Sequence, residues 1–144
     1  MSIWHHTPTL NEPNARIQRG MCGLIAIELV DIGDDFLTAR MPVDERTRQP
    51  VGLLHGGASV VLAETLASVG SMTVVDAQHH HCVGLEINAN HLAAARDGFV
   101  LGTARPIHLG RSTHIWDIRI TNAAGKLSCV SRCTMAVLQG AYPA

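Results

Sequence analysis

The longest apolar stretch of the chain covers residues 53–76, and its pattern predicts one long helix. Between His55 and Val75, Glu64 is the only residue that carries a full charge at neutral pH. A helix that is apolar nearly all round is normally buried, so we expect the rest of the chain to surround it. Burying a lone carboxylate is unfavourable unless it is paired, hydrogen-bonded or protonated, so Glu64 needs a structural or a functional reason.

Six shorter segments have the alternation or the short apolar runs of β-strands. Two precede the helix and four follow it, at residues 24–30, 36–41, 83–93, 99–108, 112–121 and 127–138. The first two are predicted to form a hairpin, and residues 77–82 are predicted to form the loop that leaves the helix. This order predicts an α+β fold in which a curved antiparallel sheet wraps around one long central helix.

The chain has 144 residues, enough for one domain with a proper core, and it contains no internal repeat or linker. We therefore expect residues 1–144 to form a single domain. Residues 1–20 are polar and contain Pro8 and Pro13, which indicates an N-terminal arm with a short helix over residues 10–19.

Charge and composition narrow the possible partners. The formal net charge is −1, so we expect no nucleic-acid partner and no polybasic membrane anchor. Residues 1–16 contain no continuous apolar segment, and the long helix contains Glu64, so neither a signal peptide nor a membrane span is expected. The four cysteines form no CxxC pair, which favours buried thiols in a reducing cytoplasm. The histidine run at residues 79–81 is predicted to be a solvated loop. The alternative is a metal site, which consecutive residues rarely form, so no metal is expected.

The start of the helix suggests chemistry. His55-Gly56-Gly57 would leave free backbone N–H groups at the positive end of the helix dipole, as in an oxyanion hole. Glu64 could act as a general base on water or as a nucleophile. The alternative is a core helix with a hydrogen-bonded glutamate and a glycine start.

The helix spacing constrains this hypothesis. Glu64 lies eight residues after Gly56, which is about 12 Å along one helix, whereas a base must lie within about 3 Å of its target or one water away. If both residues are catalytic, they cannot serve one carbonyl in one chain. Two antiparallel copies of the helix around a two-fold axis would bring Gly56 of one chain beside Glu64 of the other.

Two further polar residues are candidates. Ser68 is four residues after Glu64 and on the same face, so it could bond the carboxylate or the substrate, or only its own backbone. Gln49 precedes the helix and could orient water or the scissile group, or could be an ordinary loop residue.

Several motifs together resemble the hotdog-fold acyl-CoA thioesterases. They are QP at residues 49–50, LHGG at 54–57, Glu64, and GLEINANH at 84–91. The resemblance covers residues 20–138. It is to the branch that holds phenylacetate-pathway thioesterases, 1,4-dihydroxy-2-naphthoyl-CoA hydrolases and 4-hydroxybenzoyl-CoA thioesterases.

The resemblance implies roles for individual residues. Glu64 would be the nucleophile or general base, and the Gly56 N–H would polarise the thioester carbonyl. His55 and Gln49 would position the thioester and water, and Ser68 would line the acyl pocket. The residues implied to bind the rest of the substrate, mainly the CoA arm, are Gly57, Gly84, His91, His108, Gly110, Arg111, Ser112 and Thr113. Among these, Arg111 could pair with a CoA phosphate, or it could be a solvated turn arginine.

The sequence therefore predicts an acyl-CoA thioesterase that converts an aromatic or medium-chain acyl-CoA to the free acid and CoA. The resemblance makes 1,4-dihydroxy-2-naphthoyl-CoA and an aryl carrier-protein thioester candidate substrates. It also implies dimers paired into a homotetramer, and the helix geometry adds sites shared between the chains of a homodimer. No metal or redox cofactor is expected. The alternatives are a hotdog-fold hydratase or dehydratase, and a non-catalytic acyl-CoA-sensing domain. The single charge of Glu64 in the helix favours catalysis.

Overall fold

The computed structural model describes residues 1–143. Within these residues the chain forms three helices and six strands, and the long helix α3 is central to the fold. In chain order they are α1 (Asn11–Ile17), α2 (Met21–Leu24), β1 (Glu28–Ile32), β2 (Leu37–Pro42), α3 (Gly56–Val74), β3 (His80–His91), β4 (Phe99–Leu109), β5 (Thr113–Thr121) and β6 (Leu127–Gln139).

The six strands form one antiparallel sheet in the order β1-β2-β4-β5-β6-β3. After α3 the chain enters β3 at one edge of the sheet, beside β6, and then returns to the middle with β4. Helix α3 packs against β2, β3, β4, β5 and β6. The predicted antiparallel sheet around one long helix is thus confirmed, as is the predicted hairpin of β1 and β2.

The sheet buries one face of α3. Small residues let the helix approach the sheet closely: a Cβ added at Gly70 would lie 2.8 Å from the Trp116 ring. The residues on this buried face are Ser59, Leu62, Ala63, Leu66, Ala67, Gly70 and Ser71. They face core side chains of the sheet such as Leu37 and Ile118, which are 1% and 0% exposed.

The opposite face of α3 corrects one expectation. The apolar pattern predicted a helix enclosed nearly all round, but within residues 1–143 the outer face, which includes Val61, Glu64 and Thr65, is only half-buried. The physical reason is that a single sheet layer covers one side of a helical cylinder. In length and composition α3 could span a membrane; its packing against five strands instead makes it the core helix of the domain.

Two predicted boundaries were wrong. The first strand begins at Glu28 and not at residue 24, because α2 and a tight turn occupy the preceding residues. Leu24, the last residue of α2, is 73% exposed, and Ala26 in the turn has φ +56°. The histidine run is not wholly a loop: β3 begins at His80, whose partner in β6 is Gln139, and pairing with β6 extends the strand toward the helix.

The cysteines follow the prediction with one exception. All four are free thiols, and Cys82, Cys129 and Cys133 are buried. Cys22 is only half-buried, with its Sγ 3.3 Å from the hydroxyl of Thr65.

Candidate active site

The start of α3 exposes one backbone amide. His55 caps the helix, and its Nδ1 accepts a hydrogen bond from the N–H of Gly57 at 2.8 Å. A neutral His55 ring therefore carries its proton on Nε2. The N–H of Gly56 donates to no acceptor within residues 1–143. Of the two predicted glycine donors, Gly57 is thus occupied by the cap and Gly56 is free to polarise a carbonyl oxygen.

The other predicted residues near the helix start lie beside Gly56. A Cβ added at Gly56 would lie 2.8 Å from Nε2 of His91, so a side chain there would meet the His91 ring. Gln49, Gly56 and His91 line one cavity of about 400 Å³. The Gln49 Oε1 accepts from the Val51 N–H at 2.5 Å, which leaves its NH₂ group available to a ligand. We call Gln49, His55, Gly56, Gly57 and His91 the helix-start group.

Glu64 lies further along the outer face of α3. It is half-buried, and its carboxylate has no hydrogen-bond or ion-pair partner among the residues described, 1 to 143. Gly84 of β3 packs directly against it, since a Cβ at Gly84 would lie 2.6 Å from Oε1 of Glu64. The β3 register shifts between Gly84 and Glu86. Such bulges are common next to active sites.

The charge of the Glu64 carboxylate affects the pKa of a buried thiol in the sheet. Burial, and to a lesser degree the charges of Glu64 and Glu86, raise the pKa of the Cys133 thiol to about 12. Burial alone raises the pKa of the Cys82 thiol to about 11. Both thiols are therefore protonated at neutral pH, so neither competes with Glu64 as a nucleophile.

Ser68 is close to Glu64 in the fold as well as in the sequence. Ser68 and Gly84 line a second cavity, of about 440 Å³, between α3, β3 and the N-terminal arm. We call Glu64, Ser68 and Gly84 the Glu64 group. A ligand that reached Glu64 could thus extend into this cavity next to it.

Within one chain the helix-start group and the Glu64 group are separate. They line different cavities, and eight helical residues place Gly56 and Glu64 about 12 Å apart along α3. The strand β3 contacts both, because Gly84 lies against Glu64 and His91 lies against Gly56. No carbonyl could touch the Gly56 amide and the Glu64 carboxylate of the same chain.

The predicted CoA-binding turn, residues 108–113, connects β4 to β5. It is closed by a hydrogen bond from Gly110 N–H to Thr113 C=O at 2.9 Å, and Ser112 C=O accepts from the N–H of Val137 at 2.9 Å. Arg111 is exposed and makes no ion pair with any residue in the range 1–143. His108 packs beside Gly110.

Sheet register relates this turn to the Glu64 group. Met135 of β6 pairs with Gly84 on one side and with His114 on the other. Strand spacing then puts His114, the second residue of β5, roughly 10 Å from Gly84. The turn therefore lies on the Glu64 side of the molecule, away from the helix start of the same chain.

A buried polar network supports the turn, and it was not predicted. The Trp116 Nε1–H donates to the Ser71 hydroxyl at 2.8 Å, and that hydroxyl lies 3.1 Å from His114 Nδ1. Because Ser71 accepts from Trp116, its own proton can go to Nδ1 of His114. Desolvation, with a smaller effect from His108, lowers the pKa of His114 and keeps the ring neutral. The nearby Gly110 backbone opposes part of this shift in the pKa of His114.

The alternation of β5 contained the signal for this network. His114 is two residues before Trp116, so both side chains must lie on the same, inward face of the strand. A histidine on an inward face needs a polar partner, and Ser71 on the buried face of α3 provides it.

Comparison with known proteins gives one consistent family. The family profile described as the thioesterase superfamily matches residues 51–129. A crystal structure of a mutant thioesterase PA1618 from Pseudomonas aeruginosa superposes with TM-score 0.94 at 53% identity, covering 96% of this chain and 99% of that one. The 1,4-dihydroxy-2-naphthoyl-CoA hydrolase of Escherichia coli (strain K12) is 49% identical, over 94% of this chain and 99% of that protein. The proofreading thioesterase EntH of Cronobacter turicensis is 46% identical, over 94% and 98%.

Proposed function

Because this chain belongs to the thioesterase superfamily, we propose that it hydrolyses an aromatic or medium-chain acyl-CoA at a site shared between two chains. It has the hotdog fold and is a thioester hydrolase. The hydratase alternative is not favoured, because the relatives are named as hydrolases and thioesterases.

One observation carries the assignment of the site. The half-buried Glu64 carboxylate on the outer face of α3 has no hydrogen-bond or ion-pair partner within residues 1–143. Gly84 of β3 packs directly against it. A structural glutamate at this depth would be expected to have a hydrogen-bond partner. An unpaired carboxylate next to a cavity, and beside a glycine that has no side chain, is instead available to a substrate.

The proposed chemistry uses one residue from each chain. The thioester carbonyl oxygen accepts a hydrogen bond from the free N–H of Gly56, at the positive end of the helix dipole. Glu64 of the second chain takes a proton from water, whose oxygen bonds to the carbonyl carbon. The C–S bond then breaks and the CoA thiolate leaves with the proton, giving the acid and CoA. In the nucleophilic alternative, the Glu64 oxygen bonds to that carbon first and the C–S bond breaks, which releases the CoA thiolate and leaves a mixed anhydride. Water then cleaves the anhydride, which gives the acid, restores the Glu64 carboxylate and supplies the proton that the thiolate takes.

Other residues of the two groups would position the reactants. The free NH₂ of Gln49 and the Nε2–H of His55 are donors at the helix start, suited to the thioester carbonyl or the attacking water. Ser68 would line the acyl pocket, and Gly84 would let the thioester pass close to Glu64. His91 would contact the CoA arm near Gly56.

The assembly follows from the same geometry. The outer face of α3 is uncharged apart from Glu64 and is only half-covered in one chain. Two antiparallel copies of α3 would bury that face and bring the two groups together. We propose a homodimer on these grounds, with dimers paired into a homotetramer as the family resemblance implies. The predicted cytoplasmic location remains a proposal based on the free cysteines.

The CoA nucleotide would lie at the turn of residues 108–113, where Arg111 is exposed and would pair with a phosphate while His108, Gly110, Ser112 and Thr113 shape the turn. Exposed ion pairs contribute only about 0–1 kcal/mol. Arg111→Ala should therefore raise KM a few-fold for acyl-CoA and leave kcat unchanged. It should not change KM for the matching acyl-pantetheine, which lacks the nucleotide. An unchanged KM for acyl-CoA at low ionic strength would place Arg111 outside the site.

A hydrolysis screen tests the function. Thiol release would be followed with benzoyl-CoA, 1,4-dihydroxy-2-naphthoyl-CoA, hexanoyl-CoA and a dihydroxybenzoyl carrier-protein thioester. We expect turnover of at least one. A relative's name makes the naphthoyl thioester the first candidate, and the family resemblance adds the carrier-bound thioester. Thioester binding without thiol release would instead indicate an acyl-CoA sensor.

A further inference from the structure

The N-terminal arm, residues 1–20, has no role in the proposed mechanism, yet it forms one side of the 440 Å³ cavity beside the Glu64 group. The opposite side comes from α3 and β3. Residues 6–9 of the arm line the cavity together with Pro13 at the start of α1. At about 440 Å³ the cavity is large enough for a ring system, since ligand pockets commonly measure about 300–1,000 Å³.

The arm is anchored before the cavity by Trp4. This side chain is 8% exposed, and its ring stacks on Trp116 with centroids 6.4 Å apart. Its Nε1–H donates to the Gly33 carbonyl at 2.7 Å. The next residue, His5, donates its backbone N–H to the carbonyl of Thr73 in the last turn of α3 at 3.0 Å.

A second anchor follows the cavity. Asn14 makes two hydrogen bonds to the backbone of Leu29, through Nδ2 at 2.9 Å and Oδ1 at 2.8 Å. Ile17 is buried in the core, and the Gln18 side chain donates to the Ile27 carbonyl at 3.1 Å. Residues 6–13 therefore bridge two fixed points, with the cavity beneath them.

The cavity leads to the reacting centre. Gly84 is one of its lining residues and also touches the Glu64 carboxylate. A thioester carbon within reach of Glu64 would thus place its acyl group in this cavity and its CoA arm elsewhere. We propose that residues 6–13 form the outer wall of the acyl-binding cavity and determine which acyl groups the enzyme accepts. This inference rests on the proposed thioesterase function.

The two walls differ in chemistry. On the helix and strand side the cavity is lined by apolar residues such as Val69, Met72 and Val83. The polar residues that the arm contributes are His6, Thr7 and Thr9, together with the ion pair of Glu12 and Arg16. An aromatic acyl group would pack flat on the apolar wall. Its ring substituents would then face hydroxyl and imidazole groups, which can hydrogen-bond a ring hydroxyl.

Cavity-filling variants test the wall. Thr7→Phe and Thr9→Phe add bulk at lining positions, and Ala15→Phe adds the same bulk at an exposed position of α1 that does not line the cavity. We would measure the ratio of kcat/KM for 2-naphthoyl-CoA to that for butyryl-CoA. At least one filling variant should lower this ratio by about tenfold or more, and Ala15→Phe should leave it unchanged.

A measurement on the unaltered protein covers the case in which the variants fail to fold. Titration with 2-naphthoate should shift the NMR signals of backbone amides in residues 6–13, whereas free CoA should not. Ratios within twofold of the control in folded variants, or unshifted arm amides under saturating naphthoate, would overturn the role of the arm while the wild-type enzyme still hydrolysed thioesters. If the wild type hydrolysed no acyl-CoA, the proposed function would fail and this inference with it.

Discussion

The helix-start group and the Glu64 group lie on the same helix, but they offer opposite halves of one reaction. The helix start has a free amide N–H at Gly56 and donors on His55 and Gln49, and no carboxylate. The Glu64 group has a free carboxylate against the bare backbone of Gly84 and an adjoining cavity. One group can stabilise negative charge on an oxygen, and the other can remove a proton or attack.

The difference shows why one chain does not suffice. The helix-start group has hydrogen-bond donors but no carboxylate base, and the Glu64 group has that base but not those donors. The helix α3 separates the two groups by about 12 Å. Two chains related by a two-fold axis would make two complete sites from the same four half-sites. The half-covered outer face of α3, which one chain leaves exposed in part, would then be buried between the two chains.

The largest expected effect comes from the Glu64 group. Glu64→Gln keeps the shape of the side chain and removes its basicity, so the fold should persist while kcat falls by about 10²–10⁴-fold. Glu45→Gln, at an exposed loop position, is the matched control and should change neither. Steady-state thiol release and thermal melting measure the two effects. Normal turnover in a folded Glu64→Gln protein would make Glu64 structural.

At the helix start, Gly56→Pro removes the free N–H at the first helical position, where proline is tolerated. Loss of one oxyanion donor should lower kcat by about 10²–10³-fold, with a smaller effect on KM. Gly56→Ala is the necessary control, because any Cβ here meets the His91 ring at 2.8 Å. The alanine variant keeps the amide and should retain most of the activity. Equal losses in both variants would assign the effect to His91 and not to the N–H.

The accuracy of the sequence-based predictions also differs between local and distant features. The helix rise follows from local geometry, so the separation of Gly56 and Glu64 was predictable. The contact of Gly84 with Glu64 depends on β3 joining the sheet beside β6, a pairing of distant segments that one sequence does not specify. The first strand was placed too early because a positive φ at Ala26, a residue with no turn preference, ends the preceding apolar run.

The two-chain hypothesis itself predicts recovery of activity by mixing. Glu64→Gln chains and Gly56→Pro chains, each inactive, would be allowed to exchange subunits, with different tags to verify mixed dimers. In a mixed dimer one site carries both lesions, and the other combines an intact Gly56 with an intact Glu64. Random pairing makes about half of the dimers mixed, so about a quarter of wild-type activity should return. Verified mixed dimers without turnover would refute the shared site.

The smallest effect concerns the network that supports the turn on the Glu64 side. Desolvation lowers the pKa of His114 in the folded state, whereas in the unfolded chain it should be near 6.5. Above pH ~6.5 the ring is neutral in both states, so its protonation has no effect on the free energy of unfolding. As the pH falls below that value, His114 binds a proton in the unfolded state but not in the folded state. The free energy of unfolding therefore decreases until the pH reaches the pKa of His114 in the folded state.

The slope of this loss is at most about 1.4 kcal/mol per pH unit, the value for one proton. His114→Gln can still accept from Ser71, but it does not titrate. Urea unfolding at pH 7 should show a cost of about 1 kcal/mol for the imperfect replacement, and the difference from wild type should shrink by pH 5. The histidines that do not interact with His114 titrate equally in both proteins, so they cancel in this comparison. A difference that stayed constant between pH 7 and pH 5 would show that the proton on His114 is not excluded by folding, and that Ser71 and Trp116 do not hold it neutral.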